Sequence, residues 1–177
     1  MVMVKAFAYG GGSAEIANHL QQLKTDYLAV AYTDEGVYLR NQSIQLPIMV
    51  LNPERESFHN LLNFDLEPVV YSPTFFCQLG QFCQQQQASI NIHLDMDTGM
   101  HRLGFEKGKM DELGELIRQY PELKINSVYT HLAGADEPAH EDFSLGQLKA
   151  FEEMYTQIRS YIAVSYTHLT LPTIYSV

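Results

Sequence analysis

Short apolar runs alternate with helix-period segments along nearly the whole chain, and this alternation restricts the fold more than any other feature. Met1–Lys5, Tyr27–Ala31, Pro47–Leu51, Pro68–Tyr71, Ser89–Met96 and Ile125–His131 read as strands. Between them lie helical patterns: Ile16, Leu20 and Leu23, with Ser13 as the expected N-cap; Val37 and Leu39–Arg40; Phe58, Leu61 and Leu62; Phe75–Gln87; and Lys109–Tyr120. A last helix is expected over Phe143–Tyr161, with Leu145, Leu148, Phe151, Met154, Tyr155 and Ile158 on its apolar face. About six strand–helix units joined by short connections imply an α/β fold with a parallel sheet and right-handed crossovers. A doubly wound sheet and a barrel both fit the alternation. A full (β/α)8 barrel takes eight units in roughly 250 residues, so a barrel here is about two units short.

Bulk properties narrow the function classes. The chain has 177 residues, 46% of them hydrophobic, enough for a domain with a real core. Its net charge of −10 argues against a nucleic-acid surface or a polybasic membrane patch. No apolar run approaches the length of a membrane span, and no basic-then-apolar leader opens the chain. Cys77 and Cys83 have neither CxxC nor Cys/His spacing, which fits free thiols in a reducing compartment and so the cytoplasm.

The chemistry is concentrated in residues 93–105, HLDMDTGMHRLGF. A strand in which Ile90, Ile92 and Leu94 alternate with polar residues opens into a turn holding Asp95, Asp97, Thr98, Gly99 and Arg102. Active-site loops of α/β barrels are built this way. Lys5 follows Val2, Met3 and Val4 near the end of a buried strand, where such barrels also place reactive groups. His131 stands at the end of another.

Residues 95–105 closely resemble the MDTGMxRLGF segment of alanine racemases. Three further segments match that family in order: Val4–Gly10 (VKAFAYG), Tyr27–Arg40 (YLAVAYTDEGVYLR) and Tyr129–Glu137 (YTHLAGADE). The resemblance favours the barrel and implies a partial TIM (β/α)8 barrel of about six parallel strand–helix units. It implies pyridoxal 5'-phosphate as cofactor, held covalently by Lys5, with the freed Lys5 amine serving as a base for the substrate α-proton. It further implies that Tyr9 hydrogen-bonds the cofactor phosphate and that His131 lies against the pyridine ring. Arg102 is implied to position the substrate carboxylate and to orient a catalytic tyrosine of the partner subunit. The glycine triplet Gly10–Gly12 is not a P-loop and is weak evidence for phosphate binding by itself. Phe7 and Gly11 stand where the family usually has Asn and His. Asp136 and Glu137 match the family loop and read as loop-structuring.

Asp95 is the departure with chemical content. Many family members carry there a lysine that becomes an anion by carbamylation. An aspartate is itself anionic, so an Asp95–Arg102 pair without a carbamate is expected.

The resemblance implies interconversion of L- and D-alanine for peptidoglycan and the cell wall, by a homodimer whose second base lies in a C-terminal β-domain. Three other readings compete. A metal-dependent barrel hydrolase would use His93, Asp95, His131, Asp136 or His140, residue types that suit zinc but lack a tight ligand spacing. A non-enzymatic pyridoxal-phosphate carrier would keep Lys5 and lack the motif around Arg102. Asp97-Thr98-Gly99 invites comparison with aspartic proteases, whose all-β fold does not match this alternation.

The expected division is residues 1–163 as the partial barrel domain and 164–177 as a non-native tail. The chain opens inside the first strand, and Val164–Val177 (VSYTHLTLPTIYSV) resembles the translation of a sequencing adapter, so a truncated gene fragment is expected. Tyr166, His168 and Tyr175 are then without function.

Overall fold

The computed structural model describes residues 1–162. Its elements are β1 (Val2–Met3), a short left-handed turn α1 (Lys5–Tyr9), α2 (Ser13–Gln22), β2 (Leu28–Val30), α3 (Thr33–Asn41), β3 (Ile48–Val50) and α4 (Phe58–Asn63). There follow β4 (Glu67–Val70), α5 (Pro73–Gln86), β5 (Ile90–Asp97), β6 (Phe105–Glu106), α6 (Met110–Gln119), β7 (Leu123–Tyr129) and α7 (Glu141–Ile158). The stretch Val164–Val177 lies outside the described residues.

All the strand pairs are parallel. The main path runs β1-β2-β3-β4-β5, with β7 beside β5 and the short β6 continuing from the C-terminal end of β5. Each new strand is added on the same side as the last. A doubly wound sheet reverses its strand order at a switch point, and this one does not. The sheet therefore winds in one direction, as a barrel wall does. Among the described residues β1 pairs only with β2 and β7 only with β5, so the wall is not closed.

Side-chain alternation divides the strand residues between two faces. Ile90, Ile92, Leu94 and Met96 of β5 join Leu28, Val30, Ile48, Val50 and Val70 in the main core, under the helices. The concave face carries a much smaller apolar cluster of Ala29, Met49 and Val69. Its remainder is polar. Asn91, His93, Asp95 and Asp97 alternate with the core residues of β5, and β7 shifts register beside them between Ile92 and His93. His93 is 1% exposed and lies 2.9 Å from Glu67 Oε2, while its Nδ1 lies 2.7 Å from the Ser127 hydroxyl.

Local signals account for most helix boundaries. Ser72 caps α5 by accepting the Phe75 amide hydrogen at 3.2 Å, and Pro73 fills the first turn where no amide is needed. Ser13 is the first residue of α2 and not its cap, which is Gly12. The first strand stops at Met3 rather than Lys5, and the last at Tyr129 rather than His131. In both places the chain leaves the sheet before the candidate residue, Lys5 or His131, is reached. Strand β6 was not expected, because two residues carry no periodicity. On α7 the buried stripe is Gln147, Phe151, Met154 and Ile158, while Leu145 is exposed.

Candidate functional site

Loops at the C-terminal ends of β1, β5 and β7 carry the candidate residues, the end of a parallel wall where barrel chemistry is built. Val4 donates its amide hydrogen to the Ala29 carbonyl at 2.9 Å, and Lys5 follows it, half-buried. The chain then turns through Ala6, Phe7, Ala8 and Tyr9 at φ of 50°, 56°, 49° and 55°. Four consecutive non-glycine residues in this left-handed region are strained. Gly10, at φ 92°, ends the turn. The glycine triplet has no free amide for an anion: Gly10 and Gly12 donate to the Phe7 carbonyl and Gly11 to that of Ala8. Tyr9 is 70% exposed, so its hydroxyl is accessible at the rim.

Arg102 is exposed in the loop between β5 and β6. Asp97 organises that loop: its Oδ1 accepts the Gly99 and His101 amide hydrogens at 3.0 and 2.9 Å, and Oδ2 lies 3.0 Å from His101 Nδ1. Burial alone would raise the Asp97 carboxyl, but the amide bonds from His101 and Gly99, with the His101 ring, outweigh it and hold it below the usual range.

Asp95 behaves differently from its neighbour. Burial pushes its carboxyl up to about 7, with Asp97 adding repulsion and Arg102 and Tyr129 pulling the other way. The expected Asp95–Arg102 pair is corrected here. The pairs within 4.0 Å among the described residues do not include one, and Arg102 acts on Asp95 only through space. Asp95 instead stands opposite Tyr129 in the β5–β7 register. Burial and the adjacent Asp95 carboxylate hold the Tyr129 phenol well above its ordinary value.

His131 is half-buried two residues beyond β7. Burial, then the positive charges of Arg102 and Lys5, depress its pKa below the ordinary value. Lys5, Arg102 and His131, from three different strand ends, are therefore brought into one electrostatic neighbourhood.

The residues of the metal reading are dispersed. His93 is buried against Glu67, His140 faces Glu137 at 3.2 Å on the surface, and Asp136 is exposed. Among the described residues no group of three His, Cys, Asp or Glu side chains is placed to hold a metal ion. Cys77 and Cys83 are free, and burial raises the Cys83 thiol to about 11, which keeps it protonated.

Glu35 and Gln147 hold the site loops; Glu35 lies inside the family-like Tyr27–Arg40 segment without standing out in it, and Gln147 lies in no motif. Glu35 Oε1 accepts the Ala6 amide hydrogen at 2.7 Å, which anchors the turn after Lys5. Gln147 bonds to the loops after β5 and β7. Its only sequence signal is a polar residue four positions before Phe151 on a buried helix stripe.

Comparison with known proteins agrees with this fold. The profile of the family described as alanine racemase, N-terminal domain, matches residues 1–171, which takes in the first part of the stretch beyond residue 163. The alanine racemase of Clostridium kluyveri is 35% identical over 159 residues, covering 88% of this chain and 40% of that protein. The solved alanine racemase of Clostridium difficile 630 superposes with a TM-score of 0.85 at 31% identity, covering 92% of this chain and 44% of that one. A Bacillus anthracis alanine racemase structure with bound L-Ala-P gives a TM-score of 0.81 at 26% identity, over 90% of this chain and 42% of that one. The chain thus spans about two-fifths of the length of the curated relatives it matches.

Proposed function

The chain belongs to the alanine racemase family through its N-terminal barrel domain, and from that premise we propose that it serves a pyridoxal-phosphate-dependent racemase that interconverts L- and D-alanine. The observation that carries this reading is that Lys5, Arg102 and His131 all follow the C-terminal ends of strands in one parallel wall, where both cations also lower the imidazole pKa.

The donor set fits pyridoxal phosphate. Lys5 offers a primary amine in a half-buried position, His131 a flat ring whose protonation burial and two cations disfavour, and Tyr9 an exposed side chain whose hydroxyl could take the phosphate. When bound, the cofactor supplies an electron sink for the charge that develops at the substrate α-carbon. The chain's own residues do the rest. Lys5 would hold the cofactor through Nζ, and the free amine would be the base for the substrate α-proton. Arg102, exposed and without a close ion pair among the described residues, presents a planar fork of donors suited to a carboxylate. Asp95 interacts with Arg102 and Tyr129 electrostatically.

Four further assignments belong to the same proposal. The protein works as a homodimer in the cytoplasm, where its free thiols stay reduced. Its product serves peptidoglycan synthesis. Residues 1–163 form the barrel domain and 164–177 a tail without a part in the site.

Borohydride trapping with pyridoxal phosphate, followed by peptide mass mapping, tests the reading. A phosphopyridoxyl group on Lys5, lost in Lys5→Ala, is the expected result. Labelling spread over surface lysines and unchanged in Lys5→Ala would overturn it.

A further inference from the structure

Helix α7 buries Gln147, Phe151, Met154 and Ile158 along one stripe. Three of these are apolar, and the fourth is an amide that is 1% exposed. Packing alone would accept leucine or methionine at position 147. A buried amide is unfavourable unless its polar atoms are paired, and these are. Nε2 donates to the Thr98 hydroxyl at 3.1 Å and to the His131 carbonyl at 3.0 Å, and Oε1 accepts the Ala133 amide hydrogen at 3.0 Å.

The partners belong to two different loops. Thr98 shares the loop after β5 with Arg102, and His131 and Ala133 lie in the loop after β7. The bonding continues between the loops in one direction. The Thr130 hydroxyl donates to the Met96 carbonyl at 2.7 Å, so the Thr98 hydroxyl, 2.7 Å from Thr130, donates to it. Thr98 is then left with lone pairs, and Gln147 supplies the hydrogen for one of them. A carboxylate at position 147 would lack both donors, and a hydrocarbon would lack all three bonds.

We propose that Gln147 is a positioning residue that fixes the loop bearing His131 against the loop bearing Arg102, and so sets the face the site offers to the cofactor ring. Its part in the reaction rests on the function proposed above. Its bonds to the second loop are both to backbone, so it governs where the imidazole stands without altering the ring directly.

The test follows the His131 imidazole by NMR across a pH titration of the 177-residue chain, with His131→Gln for assignment. Gln147→Leu and Gln147→Met keep the packing and remove the bonds. Both are expected to raise the His131 midpoint by about half a unit or more, a threefold change in its proton equilibrium, as the ring loses burial beside Arg102 and Lys5. Thr98→Val keeps the Gln147 bonds to His131 and Ala133, cuts the Gln147–Thr98 bond together with the Thr98–Thr130 bond, should move the midpoint the same way, and serves if the Gln147 variants do not fold. An unchanged midpoint in a folded variant would overturn the proposal. Trapping of pyridoxal phosphate on Lys5 is read in the same samples. A wild-type chain that is not labelled would count against the functional reading, while the His131 titration would still decide the role of Gln147.

Discussion

The Glu35 carboxylate accepts the Ala6 amide hydrogen at 2.7 Å and, through its other oxygen, those of Ala31 and Tyr32 at 2.7 and 3.2 Å. One side chain thereby ties the turn after Lys5 to the end of β2. The turn needs such a tie, since each of its left-handed non-glycine residues costs about 1–2 kcal/mol. Glu35→Gln keeps the size but replaces one acceptor oxygen by an NH2 group facing amide hydrogens. It is expected to cost about 2 kcal/mol in urea unfolding, the scale of charge-assisted bonds, and to lower the trapping of pyridoxal phosphate on Lys5. Unchanged stability and labelling would mean that the turn holds itself.

Asp95 makes stability depend on pH in a direction opposite to most carboxylates. Its folded value, raised to about 7 by burial, lies above that of the unfolded chain. Below the unfolded value both states are protonated and Asp95 carries no penalty. As pH rises toward 7 the unfolded state ionises first, so the fold loses stability, and above that the loss is constant. Asp95→Asn removes this term. The variant should gain on the wild type between about pH 4 and 7, by about 2–4 kcal/mol at the plateau, in urea titrations at several pH values. Parallel curves for the two proteins would contradict the burial of Asp95.

Glu67 behaves in the opposite sense. It accepts hydrogens from the Tyr27 hydroxyl at 2.9 Å and from Asn126 at 3.1 Å, and stands 2.9 Å from His93 Nε2. Burial would raise its carboxyl, but these partners, His93 foremost, hold it below the usual range. Its stabilisation is present above the unfolded value and disappears as pH falls through the folded one. Glu67→Leu leaves the buried His93 Nε2 facing a hydrocarbon and takes an acceptor from Tyr27 and Asn126, which still bond to each other, and should cost about 3 kcal/mol at pH 7. Glu67→Gln should cost less and flatten the acid side of the stability curve. A wild-type acid limb that survives in Glu67→Gln would place the titrating group elsewhere.

The barrel wall was legible because each of its longer strands carries its own signal. Ile90, Ile92 and Leu94 announce β5, and the order of the strand–helix units allows a wall that grows in one direction. Lys5, Arg102 and His131 were legible through motifs at the ends of strands. What escaped the sequence is what depends on distant partners. The left-handed turn after Lys5 contradicts the local preference of Ala and Phe and is held by Glu35, 29 residues further on. Gln147 reads as an ordinary polar residue until Thr98, 49 positions earlier, is seen beside it. The Asp95–Arg102 pair is what the family's anion beside the arginine implies, and it does not form here: Asp95 stands largely buried opposite Tyr129 while Arg102 stays exposed.

Gly104 ends the loop that carries Arg102, and two constraints meet there. Its φ is 119°, where a side chain is strained, and a Cβ would lie 2.6 Å from the Asp97 nitrogen and 2.9 Å from the Met96 carbonyl carbon. Both contacts are backbone atoms of β5, so a rotamer change cannot relieve them. Gly104→Ala must push the loop away from the strand end and loosen the pairing of Met96 and Asp97 with Phe105 and Glu106 in β6. The expected cost is about 2–3 kcal/mol in urea unfolding. The damage should be local as well as global. Amide exchange should quicken at Gly99 and His101, whose hydrogens Asp97 accepts, before it quickens in β2 or β3. The His131 titration should move toward its ordinary value as Arg102 is displaced. A variant as stable as the wild type, with protection at Gly99 and His101 intact, would mean that the loop accommodates a methyl group where the backbone leaves no room for one.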